Sequence, residues 1–319
     1  MINPIIIVMG ALLAILASFC FNYAIILEKK GLLQGLPEIK FDEGLKNVIN
    51  AFVAFFKNKN WAFGFFLGVI GYIPYLISQS LVGIVVTQPL TSVGLLVLVY
   101  FAHKKLNEHI GSLEVISFIL MGLGTIFIGL AQVSEIFIDI QVVSIQLIVF
   151  SFIIIGISIL FYIFSTRFKE KPIEGVFIII IAGLVFSIGS IFSNALIQAI
   201  NSGIFFTIPI LGLFEIIFGI FWFEPYHIWA FGGFWIMIIF NSVAFAFTQA
   251  GLQKGKAVLM FPIQNTVNMI VPLIAGLLIF QQTFQNYILF YIGVLLILIA
   301  TIILSRFQAT IETLKIPDK

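Results

Sequence analysis

Charged residues are scarce in this chain, and their scarcity excludes a soluble fold. Only 9% of the 319 residues are Asp, Glu, Lys or Arg, against about 25% in ordinary soluble domains. Hydrophobic residues make up 61%, and the mean hydropathy is +1.19. The apolar runs are about 20 residues long, which suits a membrane-spanning helix better than the alternating strands of a barrel, about 10 residues each. The composition therefore predicts an all-α polytopic membrane protein.

Cysteine and histidine are also rare, which argues against two kinds of chemistry. Cys20 is the one cysteine, so no disulfide can form within the chain. The three histidines have no metal-ligand spacing, and no Ser/His pair or acidic dyad falls within an apolar run. We therefore expect neither an enzyme nor a cofactor nor a resident metal. The net charge of +2 is too small to indicate a nucleic-acid partner.

Nine apolar runs predict nine membrane crossings, and acidic residues are nearly absent from these runs. The runs cover 4–27, 61–82, 84–103, 113–133, 140–165, 173–200, 228–251, 256–280 and 286–307. Glu114 and Glu174, at the starts of the fourth and sixth runs, are the two Asp or Glu among them. Proton relays inside membranes use Asp, Glu or His. The sequence therefore argues against such a relay and predicts a polar lining without charge.

Basic residues occur on one side of these crossings. All 16 Lys and Arg follow or end odd-numbered runs, and the connections after the even-numbered runs have none. Positive residues favour cytoplasmic loops, so the pattern predicts an external N-terminus and a cytoplasmic C-terminus. The protein is expected in an integral membrane, and the abundance of Ile, Phe, Lys and Asn favours a prokaryotic cell membrane.

Two further segments are apolar without being assigned as crossings. The segment 203–227 contains Pro209 and Glu215, and a tenth crossing there would move later basic residues outside. We therefore expect it to be an external interfacial or re-entrant piece. The segment 41–59 has apolar residues on one helical face and charged residues on the other, which is typical of a cytoplasmic helix lying on the membrane.

Short motifs recur in the same order in the two halves of the chain. FNYAI of the first run matches SNALI of the sixth, SQSL of the second matches TQAG of the seventh, and TQPLTS of the third matches FPIQNT of the eighth. Five crossings separate equivalent positions, so the second copy must have the opposite orientation. We predict a first repeat over 1–165 and an inverted second repeat over 166–319, the recurring architecture of secondary transporters.

Polar residues accompany prolines inside the predicted crossings. Pro74, Pro89, Pro262 and Pro272 each remove a helical hydrogen bond, and such kinks are tolerated against protein or a wet cavity. The amides and hydroxyls nearby predict two polar layers along a solute pathway. The outer layer is Gln79, Thr87, Gln88, Thr91, Ser92, Asn194 and Gln198; the inner layer is Asn22, Gln249, Gln264, Asn265 and Asn268, with Asn241 between them. For any single one of them, hydrogen bonding between helices is the alternative role.

Three stretches of the chain carry motifs of a known family. They are ASFCFNYAIILEKKGL (17–32), VVTQPLTSVGLLVLVYFAHKKLNEHIG (85–111) and TQAGLQKGKAVLMFPIQNTVNMIVPLIAGLLIFQQTF (248–284). They resemble the drug/metabolite transporter (EamA-like) superfamily, nearest its NIPA-type magnesium transporters. The resemblance implies a substrate cavity between two halves, lined mainly by the first three runs and by runs six to eight.

The chain departs from the NIPA-type pattern at one position of its second run. Where those proteins usually carry a buried acidic residue, this sequence has Tyr72. Mg²⁺ is usually held through one or two carboxylates while it keeps several waters. The departure therefore argues against magnesium.

The function that these patterns favour is a secondary transporter that moves a small polar solute, neutral or zwitterionic, by alternating access. Two alternatives stay open, a NIPA-like magnesium or divalent cation transporter and a non-transporting membrane scaffold. The partners expected are a small-molecule or ion substrate and the lipid bilayer, and a homodimer is left open.

Overall fold

The fold is a bundle of helices. The computed structural model describes residues 4–91, 94–107, 111–131, 138–169, 171, 173–203 and 209–313. The α-helices within these ranges are α1 Pro4–Leu32, α2 Leu45–Lys57, α3 Lys59–Val82, α4 Ile84–Thr91, α5 Leu95–Leu106, α6 Ser112–Leu130, α7 Ile140–Arg167, α8 Ile173–Gly203, α9 Pro209–Ile217, α10 Pro225–Lys254, α11 Ala257–Leu278 and α12 Tyr287–Thr313. Short 3-10 helices lie at Phe41–Glu43 and Gly219–Trp222.

Six of the described helices are long and apolar enough to cross a membrane, namely α1, α3, α7, α8, α10 and α11. Helices α6 and α12 contain shorter apolar stretches. An all-α polytopic membrane protein is therefore confirmed. The count of nine crossings and the inverted repeat stay predictions.

Helix α1 is longer than its apolar run indicates. The run was assigned to 4–27, but the helix continues through Glu28 and Lys29 to Leu32. Both charged side chains are buried, with 2% and 7% of their surface exposed. They are tolerated there because each has polar partners on α10.

The third predicted crossing, 84–103, is interrupted in the structure. Helix α4 ends at Thr91 and α5 begins at Leu95. Ser18 of α1 lies at the interruption: its hydroxyl donates to the carbonyl of Thr91 and accepts a 2.8 Å hydrogen bond from the amide of Gly94. A Cβ on Gly94 would lie 2.2 Å from the Ser18 Oγ, so the contact requires glycine. The Ser18 hydroxyl thus joins α1 to the end of α4 and to the residue that precedes α5.

The helices pack in pairs. Helices α1 and α3 pack along each other, as do α8 and α10. Helix α1 also contacts α4 and α5, α8 also contacts α7 and α11, and α6 pairs with α12. In the last pair, the carbonyls of Gly124 and Gly293 each lie 2.6 Å from where a Cβ of the other would be. Residues without side chains therefore allow these two backbones to meet.

The basic loops meet at one end of the bundle, called here the basic end. The contacts there are Lys29 with the carbonyls of Leu252 and Gly255, Lys254 with Glu174 at 3.3 Å, and Lys169 with Asp42 at 2.7 Å. At the opposite end, Tyr226 donates to Asp139 at 3.0 Å and the Asn286 amide donates to the Ala131 carbonyl at 3.1 Å. These contacts bring the C-termini of α1, α7 and α10 together with the N-terminus of α8, as the charge pattern predicts.

The two additional apolar segments form short helices. In 203–227, helix α9 has nine residues, or about 13 Å at 1.5 Å per residue, which is less than half of a bilayer core of about 30 Å. It lies against α10, where Trp235 Nε1 donates to the carbonyl of Ile217 at 3.1 Å. In 41–59, helix α2 buries Ala51 and Phe55 and leaves Leu45 and Ile49 exposed.

A central cavity with one carboxylate as candidate functional site

A cavity of about 580 Å³ lies in the half of the bundle nearer the basic end. Helices α1, α2, α3, α4, α8, α10 and α11 line it, whereas none of its lining residues comes from the described parts of α6, α7 or α12. This is the set of helices that the family resemblance implies for a substrate cavity, together with the amphipathic α2.

Glu28 supplies the carboxylate of this cavity. Gln249 Nε2 donates to Glu28 Oε2 at 2.6 Å, and Trp61 Nε1 donates to Gln249 Oε1 at 2.9 Å. An indole nitrogen can only donate, so it fixes the Gln249 oxygen toward Trp61 and the amide NH₂ toward Glu28. Three helices, α1, α3 and α10, therefore orient one acidic side chain.

Glu28 is buried beside the cavity with few polar partners in the described part of the protein. Its side chain has no ion pair there, and no hydrogen bond reaches its second oxygen, Oε1. Buried charges are normally paired or bound to a cation. Glu28 lines the cavity, so a positive group in the cavity would meet this need.

The prediction of a lining without charge is therefore wrong at Glu28. The apolar run ends at Leu27, so the sequence pattern places Glu28, with Lys29 and Lys30, beyond the predicted crossing. A usable signal was present: Glu28 follows Phe21 by seven residues and Ile25 by three, the spacing of one helical face. All three side chains line the cavity.

Lys29, the next residue after Glu28 in the chain, does not form an ion pair with Glu28. Its ammonium donates to the carbonyls of Leu252 and Gly255, the latter at 2.9 Å. These carbonyls belong to the C-terminus of α10, where the helix dipole favours a cation. Lys29 therefore joins α1 to α10.

Aromatic rings form much of the remaining wall. The ring centroids of Phe21, Tyr72 and Tyr75 lie 5.4 to 5.9 Å from one another, and all three residues line the cavity. Tyr72 occupies the position at which the family resemblance implies an acidic residue. Ring faces attract cations within about 6 Å of the centroid, so this wall is compatible with a positive ligand.

Six of the predicted pathway residues line the cavity. They are Asn22, Thr91, Asn241, Gln264, Asn265 and Asn268. Within the described structure, the side-chain oxygens of Asn22, Asn241 and Gln264 are buried without a hydrogen-bond partner. These amides therefore keep unused hydrogen-bonding capacity beside the cavity.

Four other predicted residues are not among those that line the cavity. Gln249 bridges Trp61 and Glu28, Gln79 Oε1 accepts from Ser193 at 2.9 Å, Gln198 Oε1 accepts from the Ile138 amide at 3.1 Å, and Asn194 is fully buried. Gln79 and Asn194 therefore belong to packed contacts nearer the opposite end. Gln88 lies on α4, but its side chain is outside the described part of the structure, and Ser92 lies outside the described residues.

The predicted proline positions all fall within helices. Pro74 lies in α3, Pro89 in α4, and Pro262 and Pro272 in α11. Next to Pro262, the Thr266 hydroxyl donates to the Pro262 carbonyl at 2.9 Å. Among the described residues, no group of three or more His, Cys, Asp or Glu could hold a metal ion. A ligand in the cavity would meet one carboxylate and several amides.

An apolar helical bundle with an internal cavity and a buried carboxylate is compatible with a membrane transporter. A curated relative bears on this class. The chain is 23% identical over 296 residues to "Probable magnesium transporter NIPA9" of Arabidopsis thaliana, a match that covers 89% of this chain and 78% of that protein. No family model and no solved structure matches the chain. The likeness suggests a NIPA-type family and supports a membrane transporter with an ion or small-molecule substrate.

Proposed function

We propose that the protein is a secondary transporter that carries a small solute with a positive charge by alternating access. The observation that carries this proposal is Glu28, a buried carboxylate without an ion pair in the described structure, on the wall of a central cavity. The sequence favoured a neutral or zwitterionic solute because the crossings had no assigned charge. Because a buried carboxylate is normally paired with a positive group, we expect the solute to have at least one cationic group. We also expect the protein to be a carrier and not an enzyme.

The packing order of the helices supports two related halves. Helix α1 packs on α3 and on α4 and α5, and α8 packs in the same order on α10 and α11. The cavity lies between these two groups. Two halves that rock against each other would expose it alternately at the two ends. We place the basic end in the cytoplasm, because basic residues favour cytoplasmic loops.

Uptake by reconstituted liposomes tests this function. Purified protein should accumulate at least one cation from a panel of amines, amino acids and metal ions, and Glu28→Gln should abolish that uptake while leaving the protein folded. Glu43→Gln is the matched control, because Glu43 is an exposed carboxylate at the basic end, paired with Lys40. Cation uptake that survives Glu28→Gln would refute the role of Glu28. A lack of uptake for every solute would favour the non-transporting scaffold.

A magnesium carrier is the second candidate, favoured by the NIPA9 likeness. Glu28 with the amides of Asn22 and Gln264 would then contact a largely hydrated ion, since Mg²⁺ keeps several waters and needs few carboxylates. Expression in a host starved of magnesium discriminates the two candidates. If expression restores growth of the starved host and Glu28→Gln abolishes this effect, the result supports a magnesium carrier. If the protein is expressed but growth is not restored, the result contradicts it.

A further inference from the structure

Exposed lining residues indicate a lateral opening of the cavity between α3 and α10. These helices form no extensive contact with each other, although α3 packs on α1 and α10 packs on α8. Val69 of α3 and Ile238 of α10 both line the cavity, yet 52% and 37% of their surfaces are exposed. Their neighbours Ile70 and Ile239 are exposed and apolar without lining the cavity. The opening therefore lies on the apolar, lipid-facing side of the bundle.

Packed contacts close the route toward the opposite end. Ser193 of α8 donates to Gln79 of α3 at 2.9 Å, and Ser78 and Thr87 lie in a 3.0 Å hydrogen bond. All four side chains are fully buried. These contacts join α3 to α8 and to α4 on the side of the cavity nearer the opposite end.

An aromatic cluster closes the route toward the basic end. The ring centroid of Phe245 in α10 lies 5.5 Å from Phe65, 5.8 Å from Trp61 and 6.1 Å from Phe52. Below this cluster, Gln253 of α10 holds the chain between α1 and α2 through the Pro37 carbonyl at 2.8 Å and the Ile39 amide at 2.9 Å. These contacts favour the lateral opening between α3 and α10 as the access route.

We propose that the substrate is an amphipathic organic cation that enters the cavity sideways from the bilayer. This inference rests on the proposed transport function and names its substrate class. Glu28 would bind the cationic nitrogen, and the rings of Phe21, Tyr72 and Tyr75 would contact the apolar body. The cavity of about 580 Å³ falls within the range of about 300–1,000 Å³ typical of sites for drug-sized ligands.

The same features disfavour a strongly hydrated substrate. A hydrated ion that approaches through lipid-facing residues loses solvation before it reaches Glu28, whereas an alkylated amine transfers its apolar body favourably. The aromatic wall would offer a divalent ion little compensation, since hard cations bind oxygen. An apolar amine instead matches both the wall and the single carboxylate.

Binding to purified protein in lipid nanodiscs tests the substrate class. The probes are 4-phenylbutylammonium, the neutral 4-phenylbutanol of the same shape, and the hydrophilic methylammonium, each corrected for uptake by empty nanodiscs. We expect the first probe to bind and the other two to bind at least about tenfold more weakly, because one lacks the charge and the other the apolar body. Glu28→Gln should reduce binding of the first probe by about tenfold or more. Equal binding of the amine and the alcohol, or an unchanged affinity in Glu28→Gln, would overturn the proposal.

Substitutions at the opening test the route. Val69→Trp and Ile238→Trp should each slow association of 4-phenylbutylammonium by about fivefold or more, because the larger side chain narrows the opening. Ile70→Trp and Ile239→Trp are matched controls one residue away, exposed but not lining the cavity, and should leave association within about twofold. If the Val69→Trp and Ile238→Trp variants show the same association rate as the Ile70→Trp and Ile239→Trp variants, the probe does not enter between α3 and α10.

Failure of this inference can be told from failure of the proposed function. One outcome is Glu28-dependent uptake of methylammonium or Mg²⁺ without binding of 4-phenylbutylammonium. This outcome would support the transport function and contradict an amphipathic substrate. The opposite outcome is Glu28-dependent binding of 4-phenylbutylammonium without uptake of any cation. This outcome would support the binding site and contradict the transport function.

Discussion

Glu28 shows how two neighbouring side chains can orient a carboxylate at the wall of a cavity. Gln249 reaches the carboxylate from α10 and Trp61 holds Gln249 from α3. The indole is fully buried and lies 5.2 and 5.6 Å from the rings of Phe55 and Phe65. Trp61 thus acts through Gln249 as a positioning residue.

Trp61→Phe should weaken cation binding while keeping most of the ring packing. The Gln249 oxygen would lose its donor, at a cost of about 1–3 kcal/mol for an unsatisfied buried acceptor, and the amide could turn its oxygen toward Glu28. We expect about tenfold weaker affinity for the cation found in the uptake panel, measured by equilibrium binding in nanodiscs. Trp235→Phe also removes an indole donor, from the Ile217 carbonyl, but Trp235 does not line the cavity. An equal loss in both variants would show that the effect is not specific to the site.

At the scale of the elements, the break between α4 and α5 depends on one close contact. The Ser18 hydroxyl both donates to the carbonyl of Thr91 and accepts from the amide of Gly94. The break is therefore held by α1, and it places Thr91 at the cavity wall.

Gly94→Ala should destabilise the protein through this contact. The new Cβ would lie 2.2 Å from the Ser18 hydroxyl, so α1 must shift away from α4 and α5, and such overpacking costs about 1–3 kcal/mol. Thermal unfolding in detergent measures the effect. Gly122→Ala is the control, because its Cβ would meet nothing within 4 Å, and alanine favours a helix. A Gly94→Ala protein as stable as the Gly122→Ala protein would contradict the close packing.

The segment between α1 and α2 is joined to α7 by an ion pair that responds to pH. The Lys169 ammonium hydrogen-bonds Asp42 at 2.7 Å and lowers the pKa of that carboxyl from its ordinary value. A lowered folded pKa gives stability that is present above the ordinary pKa and lost as the pH falls through the folded value.

The wild-type protein should therefore be slightly more stable than Asp42→Asn near neutral pH, and equally stable once Asp42 is protonated. The difference should be small, because the pair is exposed to solvent. Thermal unfolding of both proteins between about pH 2 and pH 7 measures it. A difference that persists at the acidic limit would show that the charge of Asp42 is not its cause.

At the scale of the whole molecule, local patterns predicted the helices well and long-range contacts poorly. Apolar runs indicated α3, α7, α8, α10 and α11 to within a few residues, because about 20 apolar residues are needed to cross a bilayer. The buried end of α1 and the break after α4 depend on partners remote in sequence. Glu28 contacts Gln249 across 221 residues and Ser18 contacts Gly94 across 76. No window along the chain contains both members of such a pair.

The basic end must open if the two halves alternate, and its contacts define what must break. The chain between α1 and α2 is held to α10 by Gln253 and by the 3.2 Å pair of Lys254 with Glu38. Gln253 and Lys254 lie in the second half of the chain and their partners, residues 37–39, lie in the first, so these contacts join the two halves. Lys254 also contacts Glu174 of α8 at 3.3 Å. Opening toward this end requires the contacts that join the two halves to separate.

Cross-linking Glu38→Cys to Lys254→Cys with a short bismaleimide, in a Cys20→Ser background, should stop transport and spare binding. Transport requires the basic end to separate, so cation uptake should fall by about tenfold or more. Equilibrium binding should stay within about twofold, because the lateral opening between α3 and α10 is untouched. The control pair is Lys40→Cys and Glu43→Cys, at positions where the native side chains form a 2.9 Å ion pair within one segment. Cross-linking these positions joins no moving parts. Full transport by the cross-linked Glu38–Lys254 protein would mean that the basic end stays closed throughout the cycle, and alternating access between the two ends would have to be abandoned.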